Sequence, residues 1–364
     1  MNTELLEQLA GPCGVETDPH APGCERVVFC RDDETGLMAI IAIHSTAFGP
    51  ALGGTRFRPY RSEAEALTDV LRLAEGMTYK AAAAGLPLGG GKAVIMGDPA
   101  RHKTPELLRA YARFVDGLDG RYVTAADVGT CAEDLDVIGE VTPHVVGRTS
   151  GAGGSGDSGR STAAGVFYAM RAAATEVWGS EGLRGRAVGI EGVGKVGAHL
   201  AQLLLCEGAS VVVADPDPQA IQRVRETCGD EVPSVPRVID ADVDIYAPCA
   251  LGASLTRSSV TALRARIVCG AANNQLATAD IDLRLHHLGV TWVPDYVANA
   301  GGLIQVGGEL RGHTGSQVHQ RVRGVGDTTR EILLQCAARR ISTGMAAAEI
   351  VHSRLREAPA ERLP

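Results

Sequence analysis

The chain has 364 residues, which is enough for about two domains of ordinary size. Its formal net charge of −8 at pH 7 argues against a nucleic-acid or membrane-surface partner. The nine cysteines are scattered and contain no C-x-x-C pair, so neither a disulfide framework nor a metal site is expected, and a reducing cytosol fits best.

The N-terminal segment, residues 1–14, carries acidic residues and no apolar core of signal-peptide length. No window of the sequence approaches the roughly 20 consecutive apolar residues that a membrane span requires. We therefore expect a cytoplasmic protein with no membrane partner.

The N-terminal half predicts alternating strands and helices. Residues 26–46 predict two strands joined by the turn sequence DDETG. A capping box at Ser62 predicts a helix that runs into the segment GMTYKAAAAG. A glycine-rich break, LPLGGGK, precedes the apolar run AVIM, which predicts a buried strand. Thr104 begins another helix, and RYVTAA predicts a strand that ends at Asp127.

The C-terminal half has the strand and helix alternation of a parallel α/β domain. Residues 149–161 are small and polar and predict a flexible linker, with a hinge as one alternative. A helix near 162–177 is followed by a strand, a glycine fingerprint, a helix and a second strand, and two amphipathic helices end the chain. We expect the fold class to be α/β, with an N-terminal α/β domain and a Rossmann-like domain that flank a cleft.

The fingerprint is a loop with G-x-G-x-x-G spacing that comprises Gly192, Val193, Gly194, Lys195, Val196 and Gly197. Its glycines allow a tight turn, close approach of the backbone to a pyrophosphate, and close packing of helix on strand. Asp215 ends the next strand and could accept hydrogen bonds from ribose hydroxyls; no Arg or Lys follows it directly, which favours NAD over NADP. Glu191 precedes the first glycine, and we expect its carboxylate to point away. A structural turn without a ligand is the alternative.

Two lysines and one carboxylate stand out as chemistry-bearing residues. Lys80 and Lys92 lie beside apolar runs, and Asp127 closes a predicted strand. Buried together, they could bind an anion and move protons, because a shielded lysine near another cation can act as a base. The alternatives are a surface lysine for Lys80, a helix cap for Asp127 and a phosphate loop for Lys92. The phosphate loop fails, since Leu86 and Ala93 occupy positions that need Gly and Ser or Thr.

Several long runs resemble the valine, leucine and phenylalanine dehydrogenases, the smaller relatives of glutamate dehydrogenase. They are ALGGTR, GMTYKAAAAGLPLGGGK, TAADVGT, DIYAPCALGA, CGAANNQL and PDYVANAGG, in the family's order across residues 25–310. Within the family the chain most resembles the valine dehydrogenases. The resemblance implies a homo-oligomer. Residues 1–148, with returning helices at 333–364, would bind substrate and form subunit contacts, and residues 149–332 would bind NAD.

The resemblance also implies residue roles. Lys80 would bind the substrate carboxylate, Lys92 would be the catalytic base of low pKa that activates water, and Asp127 would handle the amino group and set the lysine. Further substrate contacts would come from Asn299, Gly53, Gly54, Leu52, Ala125, Leu303 and Val306. Cofactor contacts outside the fingerprint and Asp215 would come from Thr162, Ala250 and Asn273.

The implied reaction converts an L-amino acid to its 2-oxo acid and ammonia with reduction of NAD. The apolar lining disfavours glutamate, and Leu303, where relatives have valine, favours a short side chain. One methylene is worth only about 1–3 kcal/mol, so the choice among valine, leucine and isoleucine stays open, with L-valine favoured. The alternatives are an aromatic L-amino-acid dehydrogenase and an inactive NAD-binding scaffold. Retention of Lys80, Lys92, Asp127 and Asn299 speaks against the scaffold.

Overall fold

The computed structural model describes residues 16–17, 23–229, 231–250 and 252–357. Residues 1–14, where no signal peptide is predicted, lie outside these ranges. The chain forms two compact units: unit 1 comprises Met1–Asp157, Glu309–Gly312 and Leu355–Pro364, and unit 2 comprises Ser158–Gly308 and His313–Arg354. Across the described ranges, no helix has both the length and the apolar character needed to cross a membrane.

Unit 1 is built on a mixed sheet. Within the described residues its strand order is β1-β2-β3-β5-β4-β6; the first three pairings are antiparallel, and β4 runs parallel to β5 and β6. The strands are β1 (Glu16–Thr17), β2 (Arg26–Asp32), β3 (Leu37–Ser45), β4 (Ala51–Arg58), β5 (Gly89–Met96) and β6 (Tyr122–Ala126). The helices are α1 (Glu63–Ala83), α2 (Pro99–His102), α3 (Pro105–Asp116) and α4 (Ala132–Ile138).

Two helices cover the two faces of this sheet. Val94 of β5 packs in a buried cluster with Val70 of α1, whereas Ile95, the next residue, packs in a cluster with Tyr111 of α3. This alternation is the period of a strand buried on both faces. The unit 1 core is therefore divided into an α1 side and an α3 side.

The helix starts predicted by capping are confirmed. Ser62 Oγ accepts from the backbone N–H of Glu65, and Thr104 Oγ1 accepts from that of Leu107. In a complete capping box the Glu65 carboxylate would also accept from the backbone N–H of Ser62. It accepts instead from the N–H of Arg61 at 2.9 Å, so only the Ser62 hydrogen bond of the predicted box is confirmed. Side-chain caps of this kind stabilise a helix by about 1 kcal/mol each.

The sequence LPLGGGK was predicted to be a glycine-rich break between elements. This prediction was wrong for the three glycines, which are the first residues of β5. Strand β4 was not predicted. Close packing is the reason glycine stands there. A Cβ on Gly90 would lie 2.1 Å from the backbone nitrogen of Thr78 in α1. A Cβ on Gly53 of β4 would lie 1.7 Å from the carbonyl oxygen of Gly91 in β5.

The predicted linker at 149–161 is also structured in part. Ser150–Ala152 forms a 3₁₀ turn, and the last three residues of the segment belong to the helix that begins at Gly159. The Glu309 carboxylate accepts from the N–H groups of Gly147 and Ser155 at distances from 2.8 to 3.1 Å. These hydrogen bonds hold the segment against unit 1.

Unit 2 is the predicted Rossmann-like domain. Its strands in the described ranges form a fully parallel sheet in the order β11-β10-β9-β7-β8. These strands are β7 (Ala187–Glu191), β8 (Ser210–Ala214), β9 (Ile245–Pro248), β10 (Ile267–Val268) and β11 (Thr291–Trp292). The helices from Gly159 onward are α5 (Gly159–Trp178), α6 (Lys195–Cys206), α7 (Pro218–Cys228), α8 (Ser259–Ala262), α9 (Asp280–His287), α10 (Asp295–Ala298), α11 (Gly301–Leu310), α12 (Gly315–Arg339) and α13 (Thr343–Arg356).

The two C-terminal helices belong to unit 2 as far as Arg354. The sequence analysis assigned residues 333–364 to the N-terminal domain instead. Helix α12 packs along α5, where the rings of Tyr168 and His319 make an edge contact. The Asp282 carboxylate of α9 accepts from the N–H of Gly344 at the start of α13.

Candidate functional site

One face of the unit 1 sheet gathers the polar candidates. Side chains alternate along a strand, and the register pairs Gly54 of β4 with Ala125 of β6. Asp127, two residues beyond Ala125, therefore projects on the same face as Gly54 and Arg56. Lys92 of β5 reaches this face as well, since its ammonium contacts the Asp127 carboxylate. Helix α1 covers the face.

The structure brings Lys92 and Asp127 into direct contact. The Lys92 Nζ lies 2.7 Å from Asp127 Oδ2, and the two side chains are only 8% and 17% exposed. Burial alone would raise the pKa of Asp127, but the positive charges of Lys92 and Arg56 outweigh it and lower the pKa to about 2. The carboxylate is ionised at neutral pH and lies beside an amine in a largely dry environment.

The backbone around Asp127 is fixed by the loop that follows β6. The Asp127 N–H donates to Thr130 Oγ1 at 2.9 Å, and that hydroxyl lies 2.8 Å from the carbonyl oxygen of Thr55, to which it donates. Gly129 adopts φ +82°, and a Cβ there would lie 1.9 Å from the Phe57 carbonyl oxygen. Only glycine fits this close approach. The carboxylate is thus held from both its side chain and its main chain.

Lys80 lies in the last turn of α1, where its side chain is half-buried. Thr78, two residues earlier, packs directly on Gly90 of β5. Lys80 therefore belongs to the end of α1 that lies against the strand carrying Lys92.

Gly53 and Gly54 are required by the packing of the sheet. A Cβ on Gly53 would clash with β5, as described above. A Cβ on Gly54 would clash with β6 and the residue after it, because it would lie 2.5 Å from the Ala126 carbonyl oxygen and 2.9 Å from Asp127 Cβ. A side chain at Gly54 would displace Asp127. Their approach to a substrate stays a prediction.

In unit 2 the fingerprint loop has two glycines that packing requires and one that it does not. Gly192 has φ +97°, and a Cβ there would lie 2.7 Å from Ala250. A Cβ on Gly197 would lie 2.0 Å from the Gly192 carbonyl oxygen. A Cβ on Gly194, by contrast, would have no described atom within 4 Å beyond its chain neighbours and its own helix. Open space beside the N-terminus of α6 is what a bound pyrophosphate needs.

The acids beside the loop are both hydrogen-bonded. Asp215 accepts from the N–H of Val193 at 2.8 Å and from that of Asp217 at 2.9 Å, which ties the loop to the end of β8. Glu191 accepts from the Tyr246 hydroxyl at 2.9 Å. Burial and the Glu191 charge raise the pKa of Tyr246, so the phenol stays protonated as the donor.

Asn299 has a buried acceptor for which the described residues provide no hydrogen-bond donor. Its Nδ2 donates to the Ala271 carbonyl oxygen at 3.0 Å and to Asn273 Oδ1 at 2.8 Å. Its Oδ1 is buried and receives no hydrogen bond from the described part of the chain. An unsatisfied buried acceptor costs about 1–3 kcal/mol, so an N–H or O–H group of a ligand would stabilise this arrangement. Thr162, in the first turn of α5, donates to the Ser158 carbonyl oxygen.

The apolar candidates divide between the units. Leu52 and Ala125 are buried on β4 and β6 of unit 1, and Leu303 and Val306 are buried on α11 of unit 2. Their burial agrees with an apolar lining, and their place in a substrate pocket stays a prediction.

The sequence interpretation missed Arg56. Its Nε lies 3.3 Å from Asp127 Oδ2, and its guanidinium also binds Asp69 of α1. The available signal was its position in ALGGTR, two residues after Gly54 and therefore on the same face of a strand. That signal could be used only once β4 was recognised as a strand.

Comparison with known proteins gives a consistent set of similarities. Residues 24–144 match the family model Glu/Leu/Phe/Val dehydrogenase, dimerisation domain, and residues 153–221 and 216–352 match Glutamate/Leucine/Phenylalanine/Valine dehydrogenase. Valine dehydrogenase from Streptomyces albus is 50% identical over 347 residues, covering 93% of this chain and 94% of its own. Leucine dehydrogenase from Bacillus subtilis is 46% identical over 309 residues, 85% of each chain. The crystal structure of L-tryptophan dehydrogenase from Nostoc punctiforme superposes with a TM-score of 0.79 at 39% identity, covering 92% of this chain and 97% of its own.

Proposed function

The chain belongs to the Glu/Leu/Phe/Val dehydrogenase family of amino-acid dehydrogenases, and from this premise we propose that it oxidatively deaminates L-valine with NAD. The products are the 2-oxo acid and ammonia, and leucine and isoleucine are secondary substrates. The observation that carries the proposal is the buried Lys92–Asp127 pair at 2.7 Å, in a chain 50% identical to a valine dehydrogenase.

The residues of unit 1 act on the amino acid. Lys80 binds the substrate carboxylate, because an ammonium makes strong charge-assisted hydrogen bonds with a carboxylate. Lys92 takes a proton from a water molecule, whose oxygen then bonds to the iminium carbon of the oxidised substrate. Asp127 accepts a hydrogen bond from the substrate amino group and stabilises the Lys92 ammonium that forms.

The residues of unit 2 fit a dinucleotide. The open space at Gly194, the α6 N-terminus and the orphaned Asn299 Oδ1 are each suited to a ligand. NAD, when bound, would supply a hydride acceptor for the oxidation at the substrate Cα. The backbone N–H groups at the start of α6 would hold its pyrophosphate. The carboxylates of Asp215 and Asp217 would repel a 2′-phosphate, which favours NAD over NADP.

The assembly and location follow from similar reasoning. The match to a dimerisation domain supports a homo-oligomer in which unit 1 supplies subunit contacts. The scattered cysteines contain no C-x-x-C pair, a pattern that fits a reducing cytoplasm.

The test of the proposed function is a panel of L-amino acids assayed with NAD and with NADP. We expect the highest kcat/KM for L-valine with NAD, lower values for L-leucine and L-isoleucine, and the lowest for L-phenylalanine, L-tryptophan and L-glutamate. Preference for an aromatic substrate would favour the second candidate function, which the match to L-tryptophan dehydrogenase supports. No turnover with any member would leave only an inactive scaffold.

Replacing Lys80 with alanine is expected to raise the KM for L-valine about 10- to 100-fold, the size of one lost charge-assisted hydrogen bond. Lys80→Arg keeps the positive charge and should recover part of the loss. Initial rates at varied L-valine and saturating NAD measure the effect. An unchanged KM in the alanine variant would remove Lys80 from substrate binding.

Replacing Gly194 with alanine is expected to weaken NADH binding about 10- to 100-fold, because a methyl group would meet the pyrophosphate at a cost of about 1–3 kcal/mol. The free energy of unfolding should not fall, since the position is open in the protein. Gly324→Ala, at an equally open position in α12, is the matched control. Fluorescence titration with NADH measures both, and equal affinities would argue against a pyrophosphate at Gly194.

A further inference from the structure

Arg56 joins two partly buried carboxylates on the α1 side of the unit 1 sheet. Its Nε lies 3.3 Å from Asp127 Oδ2, and its terminal nitrogen lies 3.0 Å from Asp69 Oδ2. The Arg56 side chain is only 16% exposed. A guanidinium can bind two carboxylates through separate nitrogens in one plane, which the single ammonium of lysine cannot do.

Arg56 is itself held in place from α1. Asp69 accepts from the Tyr60 hydroxyl at 2.8 Å as well as from Arg56, so its carboxylate has two fixed donors on one oxygen. Burial acts to lower the pKa of Arg56, while the charges of Asp127 and Asp69 raise it, and the net shift is upward. Arg56 therefore remains a cation throughout the pH range in which an enzyme works.

This constancy contrasts with the charge of Lys92. In the proposed reaction the Lys92 ammonium, which pairs with Asp127 in the structure, first loses its proton to solvent. A water O–H bond then breaks, its proton goes to Nζ, and the water oxygen forms the C–O bond to the iminium carbon. Before that step Lys92 offers Asp127 no positive charge. A carboxylate buried beside neutral groups tends to recover its proton, and a protonated Asp127 would no longer stabilise the Lys92 ammonium.

We infer that Arg56 is a positioning residue of this reaction: it keeps the Asp127 carboxylate ionised and aimed at Lys92 while Lys92 gains and loses its proton. Asp69 and Tyr60 hold Arg56 for this purpose. The inference rests on the proposed function, because it assigns Arg56 a role in the proton transfer that Lys92 performs.

The test compares Arg56→Gln with wild type in initial-rate assays with L-valine and NAD. We expect kcat to fall about 100-fold, the effect of a misplaced catalytic group, while the KM for L-valine and the affinity for NADH stay within about threefold of wild type. Arg56→Lys keeps the charge without the two-carboxylate bridge and should recover about tenfold in kcat. Arg31→Gln is the matched control, since Arg31 pairs with Glu63 at the start of the same helix at 2.7 Å, and its kcat should equal that of wild type.

Asp69→Asn is a second variant that tests the inference even if the Arg56 variants fold poorly. It leaves Arg56 in place but removes one of its anchors, so kcat should fall less than in Arg56→Gln, with an unchanged NADH affinity. A wild-type kcat in Arg56→Gln or in a folded Asp69→Asn variant overturns the inference, as does a loss shared equally by Arg31→Gln. Absence of turnover in wild type would instead contradict the proposed function, so the two failures are distinguishable.

Discussion

Replacing Lys92 with alanine is expected to lower kcat for L-valine by about 10³- to 10⁴-fold while NADH still binds. A positioned general base contributes about 10²- to 10⁴-fold to a rate, and this substitution also removes the partner of a buried carboxylate. Lys92 lies on β5 of unit 1, whereas the fingerprint glycines lie in unit 2, so the NADH titration should match that of wild type.

Lys92→Arg separates base chemistry from charge. Arginine preserves a cation beside Asp127 but does not lose its proton in the working pH range, so turnover should stay near that of the alanine variant. The free energy of unfolding, from urea titration, should be closer to wild type in Lys92→Arg than in Lys92→Ala. Wild-type turnover in either variant would remove Lys92 from the mechanism.

Replacing Asp127 with asparagine is expected to lower kcat by about 10³-fold, because the amide cannot carry the negative charge that Lys92 and Arg56 share. The substitution changes little in volume, so the loss would reflect charge. Asp116→Asn, at an exposed aspartate that ends α3, serves as the control and should retain full activity.

The stability that Asp127→Asn loses relative to wild type should depend on pH. A carboxyl whose pKa falls to about 2 on folding, from an ordinary value near 3.8, contributes stability that is present above about pH 4 and is lost as the pH falls through 2. The shift corresponds to about 2 kcal/mol. The difference in free energy of unfolding between wild type and Asp127→Asn should therefore be largest near neutrality and shrink toward pH 2. A difference that does not vary with pH would contradict the charge argument.

The fold was predictable where local chemistry and periodicity agree. Ser62 and Thr104 cap the helices that they were expected to begin, and the strand, glycine loop and helix around Gly192 form as the fingerprint predicts. Glycine-rich strands were not predictable, because glycine usually indicates a turn. At Gly53 and Gly90 it is required by the closeness of a neighbouring strand and helix, which a single sequence does not reveal.

The sequence predicted the reactive groups of the site but not the residues that hold those groups in place. Lys92 and Asp127 stood out because charged residues beside apolar runs need partners, and they are in contact. The residues that hold Asp127 in place are Arg56, Thr130 and Gly129. They come together because β4 pairs with β6 and packs against the loop that follows it, and the spacing of residues along the sequence does not reveal this pairing. The roles of Lys80, Asn299 and the apolar candidates stay predictions.

Rescue of Lys92→Ala by small primary amines tests the central claim most directly. Removing the side chain leaves a buried space beside Asp127 into which methylamine or ethylamine can enter and take the proton from water. The predicted result is a rate with L-valine and NAD that rises with amine concentration in Lys92→Ala and stays flat in Asp127→Asn. A Lys92→Ala rate that does not respond to any amine, in a protein that still binds NADH and L-valine, would contradict the assignment of Lys92 as the base.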